Sequence, residues 1–164
     1  MSSHYLDRSL STSRWDNALP PRITIAPGDS ITIETREASD GQVHPKMSSA
    51  EFANIDTGRI HGLTGPVAID GAAPGDALEV VIDGFEHEGW AWSSIIPGLG
   101  LLDDAFEKHF LHIWKLEGNE TTSMPGTRLE LRPFAGIIGL QRAEPGSFRT
   151  RPPRPRGGNI VVRH

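Results

Sequence analysis

Cysteine is absent from all 164 residues, and that one absence removes a disulfide framework, a Cys-based zinc site and a thiol nucleophile together. Long apolar runs are missing as well. No stretch approaches the roughly 20 apolar residues of a membrane helix, and the opening MSSHYLDRSLSTSRW lacks the apolar centre of a signal peptide. The expectation is therefore a soluble, cytoplasmic protein. Positive charge is also in deficit: 16 Lys and Arg against 21 Asp and Glu leave a formal net charge of -5, which disfavours nucleic acid and membrane surfaces as partners. Neither G-x-S-x-G nor H-E-x-x-H occurs, so no serine-hydrolase elbow and no zincin helix is indicated. The pairs Ser48-Ser49 and Ser93-Ser94 lack a glycine-rich setting and read as loop residues.

Turn formers are abundant. With 18 Gly and 13 Pro, long uninterrupted helices have little room, and the length suits one ordinary domain over residues 1–164. The fold expected is mainly β, a sandwich- or barrel-like sheet of short strands with one or two short helices. Residues 23–25 and 31–35 alternate apolar and polar with period two around Ala26-Pro27-Gly28-Asp29, which predicts two strands and a turn. The same turn returns at Ala73-Pro74-Gly75-Asp76, followed by alternation over residues 78–83, so a sheet of similar hairpins is suggested. Further strands are predicted over residues 66–70, 110–116, 128–132, 136–141 and 159–163, short helices over 48–55 and 102–109, and a polar surface loop over 37–47. The 159–163 strand lies at the end of the sequence, and an unpaired edge there would seek a partner.

Read in order, the blocks Trp15-Asp16-Asn17, Pro27-Gly28-Asp29, Ile33-Glu34-Thr35, Gly41-Gln42 and His61-Gly62-Leu63-Thr64-Gly65-Pro66-Val67 form a pattern. It continues through Ile95-Ile96-Pro97-Gly98-Leu99-Gly100, Leu131-Arg132-Pro133-Phe134-Ala135-Gly136, Glu144-Pro145-Gly146 and Gly157-Gly158-Asn159. In that order the blocks resemble the N-terminal half of the acetamidase/formamidase family. The resemblance implies a β-rich, sandwich-like amidohydrolase that turns small aliphatic amides of the formamide or acetamide type into carboxylate and ammonia. Because cysteine is lacking, the nitrilase route to that chemistry is closed. The family pattern runs on into a second half that supplies acidic and histidine residues, and it usually has an acidic residue where this chain has Val161. A second copy, or a complementary C-terminal-half chain, is thus implied to complete the site. A different class of function is also compatible, a non-catalytic binding module that keeps the fold.

Amide hydrolysis needs a nucleophile, a proton donor for the leaving nitrogen and donors for the oxyanion. His61, beside a glycine and ahead of the Leu63-Thr64-Gly65-Pro66 turn, is the first candidate, as proton carrier or metal ligand; the competing reading is a structural histidine. Glu34, at a strand end, is a candidate base or ligand, against a solvent-facing strand residue. Asn159 is a candidate for orienting the amide, against a turn residue after two glycines. Thr64 and Gln42 join it as substrate-binding candidates through the resemblance, and a divalent metal such as zinc or calcium, with His61 and Glu34 as ligands, enters the same way. His109 and His112 would point to opposite faces of a strand, which argues against a shared metal. Trp90 and Trp92 share a strand face, as pocket wall or as core. The arginines 149, 151, 154 and 156, set among prolines, read as a stiff connector rather than a nucleic-acid patch.

Overall fold

The computed structural model describes residues 1–152 and the backbone of residues 157–159. Turn chemistry sets the local architecture. At Ala26-Asp29 the Asp29 amide donates to the Ala26 carbonyl at 3.1 Å, the Asp29 carboxylate accepts the Ala26 amide at 3.3 Å, and Gly28 takes the left-handed φ of +85° that the turn requires. The second copy is built alike, with distances of 3.0 and 2.8 Å between Ala73 and Asp76 and Gly75 at +108°. Asp29 does more than close its turn. It accepts from His4 Nε2 at 2.9 Å and the Ser2 amide at 2.7 Å, and those bonds hold its carboxyl down at about 2. The turn thereby fixes the parallel pairing of Ser3–Leu6 with Ser30–Ile33, in the register Ser3 to Ser30 through Leu6 to Ile33.

The chain divides into two compact units. The first comprises Met1–Gly41, Asp56–Val81 and Ala135–His164. Besides the pair above, Ile23–Ile25 runs parallel to Val67–Ile69, while Ser11–Thr12 with Leu63–Thr64, Arg14–Asp16 with Ser147–Arg149, and Ile137–Gly139 with Gly157–Asn159 are antiparallel. Leu6, Trp15 and Ile25 are its buried apolar residues among those described.

The second unit comprises Gln42–Ile55 and Ile82–Phe134. Trp90–Ile95 and Phe110–Lys115 form a six-residue antiparallel ladder, and Glu120–Thr121 pairs with Leu129–Glu130. A one-turn helix, Ser49–Phe52, starts in a capping box: Ser48 and Glu51 satisfy each other's backbone amides. It delivers Phe52 into a core with Val43 and Leu111, and the Ser49 hydroxyl accepts the Leu111 amide at 3.0 Å. Trp90 and Trp92 pack on that core, Trp92 with its ring 5.6 Å from Phe52, so the paired tryptophans serve packing.

Several expectations are met in outline and altered in detail. The described residues are mainly β, as short strands in two-stranded ladders, with no closed barrel among them. Residues 23–25 and 30–33 are both strands, yet they do not form a hairpin, because each pairs in parallel with a segment distant in sequence. Residues 78–83 alternate as a strand should but lie exposed in no ladder, since alternation without a hydrogen-bonding neighbour does not make a strand. Residues 102–109 are turns rather than helix, and the 48–55 helix contracts to Ser49–Phe52. Of the predicted strand over 159–163, only residue 159 lies within the described backbone. Among the described residues no helix is long and apolar enough to cross a membrane.

Since Phe52 is 1% exposed at the centre of the second unit, Phe52→Ala should cost about 3–5 kcal/mol in urea unfolding. Ser48→Ala, which removes only the cap, should cost about 1 kcal/mol in the same experiment.

Candidate functional site

Two residues other than glycine have a left-handed backbone among those described, Asp40 at φ +63° and His61 at +67°, and both belong to the first unit. Such a conformation disfavours a residue with a Cβ and persists only where its surroundings hold it. Those surroundings are visible here. The His61 amide donates to the Ala38 carbonyl at 2.7 Å, and the buried Thr150 hydroxyl donates to the His61 carbonyl at 2.8 Å. Thr150 is itself anchored, through its amide, to the Ser13 carbonyl at 3.2 Å. The next residue must be glycine. A Cβ on Gly62 would stand 2.9 Å from Asp40 Oδ1, inside contact distance.

The Ala38 side of this arrangement is a self-organised loop. The Glu37 carboxylate accepts the amides of Ser39 at 2.8 Å and Gly41 at 2.6 Å, and the Asp40 amide donates to the Glu37 carbonyl at 2.9 Å. Asp40 then gathers side chains from far along the chain. Its carboxylate accepts from the Ser11 hydroxyl, from Arg36 Nη1 at 3.3 Å, and from Arg59 Nε and Nη2 at 3.2 and 3.0 Å. Burial works to raise this carboxyl, but the Ser11 and Arg59 hydrogen bonds and the Arg36 charge prevail and hold it below the usual carboxylate range.

His61 differs from Asp40 in being unsatisfied. Its Nδ1 is buried without a hydrogen-bond partner among the described residues, and burial, with the Arg151 charge as second cause, lowers its pKa from 6.5. A half-buried imidazole of this kind is neutral near pH 7 and retains a ring nitrogen able to accept or carry a proton. Arg151, read from the sequence as part of a connector, thus acts on His61 electrostatically; Arg154 and Arg156 lie outside the described residues.

The other candidates are spread out. Glu34 follows the Ser30–Ile33 strand, where it hydrogen-bonds with Tyr5 and accepts the Arg8 amide at 3.3 Å. The Tyr5 bond is the main reason its carboxyl is lowered, and the same bond raises the Tyr5 phenol. No described contact brings Glu34 to His61. Thr64 is half-buried and pairs with Ser11, whose hydroxyl reaches Asp40, so Thr64 borders the Asp40 network. Gln42 is half-buried at the start of the second unit. Asn159 has its backbone paired with Ile137, and Val161 lies outside the described residues. Among the described residues no group of three or more His, Asp or Glu side chains could hold a metal ion, so His61 and Glu34 alone do not fit zinc or calcium. Asp40, Ser11, Arg36, Arg59 and Thr150 were not singled out from the sequence. The dipeptide Asp40-Gly41 signals a turn, but a side chain 29 residues from Ser11 and 19 from Arg59 leaves no local trace of those bonds.

Fold and site together define a β-rich chain that presents a neutral histidine on a strained, arginine-braced loop. The Acetamidase/Formamidase family profile matches residues 3–145, and the chain belongs to that family. It is 32% identical over 155 residues to an acetamidase of Mycolicibacterium smegmatis, covering 85% of this chain and 36% of that protein. It is 30% identical over 135 residues to a formamidase of Methylophilus methylotrophus, covering 77% and 33% respectively. The crystal structure of a predicted acetamidase/formamidase from the thermophile Thermoanaerobacter tengcongensis superposes with a TM-score of 0.87 at 23% identity, over 97% of this chain and 52% of that one, which shows the shared fold. The chain therefore spans about a third of the length of these curated relatives.

Two measurements probe the site. Because His61 has a lowered pKa, the unfolded chain takes up a proton first on acidification, so the stability tied to neutral His61 is complete above pH 6.5 and is lost as pH falls through the lower folded value. In His61→Asn, which still tolerates the left-handed backbone, the fall in Tm below pH 6.5 should be shallower than in the wild type. Asp40→Asn likewise keeps the backbone geometry while removing the charge. It should cost about 1–2 kcal/mol in thermal unfolding, a modest figure because the Arg59 side chain is 47% exposed.

Proposed function

We propose that this chain forms part of a hydrolase for small aliphatic amides of the formamide and acetamide type, with His61 as its proton-transfer group. The observation that carries the reading is the unsatisfied imidazole of His61, whose backbone is held by Ala38 and Thr150 within the span that matches the family. In the reaction His61 takes a proton from a water as the water oxygen bonds to the amide carbonyl carbon. The same proton then passes to the leaving nitrogen as the C–N bond breaks, giving carboxylic acid and ammonia, which settle as carboxylate and ammonium. Thr64, which borders the Asp40 network, is proposed to bind the substrate, with Asn159 proposed to orient the amide. Glu34, engaged with Tyr5, is proposed as a supporting carboxylate rather than a partner of His61.

A zinc or calcium ion, if one takes part, would need ligands from outside the described residues. The span of about a third of the curated relatives supports completion by further polypeptide, either a complementary chain or a second copy. A cytoplasmic setting belongs to the same proposal.

The test is ammonia release from formamide and acetamide by this chain, alone and in a complex with the remaining portion of a relative. Activity should appear with the complete assembly and fall at least 100-fold in His61→Asn, with kcat rather than KM affected and the acid limb of the pH profile lost. Unchanged turnover in His61→Asn would remove His61 from the mechanism.

A further inference from the structure

The second unit carries a surface that the amide chemistry does not explain. After the Trp90–Ile95 strand the chain turns at Ile96-Pro97-Gly98-Leu99, closed by the Leu99 amide on the Ile96 carbonyl at 3.1 Å, and then runs through Gly100-Leu101-Leu102. Gly98 and Gly100 are left-handed, at φ +73° and +100°, and a Cβ on either would meet nothing within 4 Å. The space beside both glycines is therefore open. Leu99, Leu101, Leu102 and Phe106 are exposed at 48%, 101%, 63% and 43%. They surround a concavity of about 460 Å³ whose floor includes Ile96, and Ile96 packs on the Val43, Phe52 and Leu111 core. A rigid apolar floor thus meets a projecting apolar rim. Four large apolar side chains within eight residues make a contiguous patch of the kind that marks an interaction site, because soluble surfaces rarely leave one uncovered.

We propose that this rim is the docking surface for a further polypeptide, equivalent to the portion of the relatives that this chain does not span, which inserts an apolar segment flanked by Lys or Arg. The solved relative carries the same fold over 97% of this chain within a polypeptide about twice as long, so chain of the required extent accompanies this fold there. Charge selects the occupant further. Asp103, Asp104 and Glu107 stand exposed between and beside the apolar residues, with Lys108 the one cation of that stretch. An acidic rim repels anionic lipid headgroups and would face its own kind across a pair of identical copies, whereas it complements a basic flank. The proposal rests on the reading that further polypeptide completes the amidase, but it concerns binding and is tested without turnover.

Tagged chain is co-expressed with the remaining portion of the Methylophilus methylotrophus formamidase, and the purified material is weighed by native mass spectrometry. A 1:1 complex is expected. Leu101→Glu with Leu102→Glu should reduce its recovery at least tenfold, and Asp103→Lys with Asp104→Lys at least threefold. Near-UV circular dichroism of Trp90 and Trp92 should be unchanged in both, because the substituted side chains are exposed. The proposal is overturned by absence of any complex, by a complex indifferent to the leucine substitutions, or by a homodimer of the chain alone that those substitutions dissolve. Binding without ammonia release would leave this surface standing and remove the hydrolase reading.

Discussion

The left-handed backbone of His61 is the constraint on which the chemistry proposed for the first unit depends. Left to itself, a histidine would relax from φ +67° to an ordinary conformation, and its imidazole would swing with it. Three groups forbid this: the Ala38 carbonyl on the amide side, the Thr150 hydroxyl on the carbonyl side, and Asp40 packed where a Gly62 side chain would otherwise stand. Each is itself held, Ala38 within the loop closed by Glu37, Thr150 by Ser13, and Asp40 by Ser11 and two arginines. The His61 ring nitrogen is left without a partner among the described residues while the backbone around it is bonded, and buried polar atoms are normally satisfied.

Charge is distributed with the same economy. Asp40 is partly buried, and a lone carboxylate there would be unfavourable, but Arg36 and Arg59 keep it ionised and so keep the loop in shape. Arg151 acts in the opposite sense on His61, adding to burial in holding the imidazole neutral. An acidic side chain in place of Arg151 would favour the protonated ring and weaken its ability to accept a proton. Neighbouring positive charges therefore serve two ends, ionising one group and discharging the other.

What the sequence revealed and what it concealed follow from the range of the interactions. Period-two alternation over 23–25 and 31–35 located the strands Ile23–Ile25 and Ser30–Ile33, the segments 66–70 and 110–116 held Val67–Ile69 and Phe110–Lys115, and the two Pro-Gly-Asp turns were legible because their bonds close within four residues. Pairing was not legible. Ile23–Ile25 finds Val67–Ile69, and Arg14–Asp16 finds Ser147–Arg149, through contacts that no local pattern encodes. Residues 78–83 failed for the complementary reason, having the pattern without the neighbour. His61 was singled out because ordered motifs framed it, while Asp40 was hidden behind its role in a turn and is recognisable only once Ser11 and Arg59 arrive beside it.

Thr150 lies 137 residues from Ser13, and among the described residues it supplies the hydroxyl that fastens the His61 carbonyl. On a ribosome adding roughly 5–20 residues per second, the histidine emerges several seconds or more before its clasp does. Through that interval the N-terminal strand and the Asp40 loop have everything they need to form, whereas His61 lacks the restraint on its carbonyl. The proposed proton-transfer residue is thus set only after Thr150 has been made, so that a chain still being synthesised carries the loop before it carries the clasp.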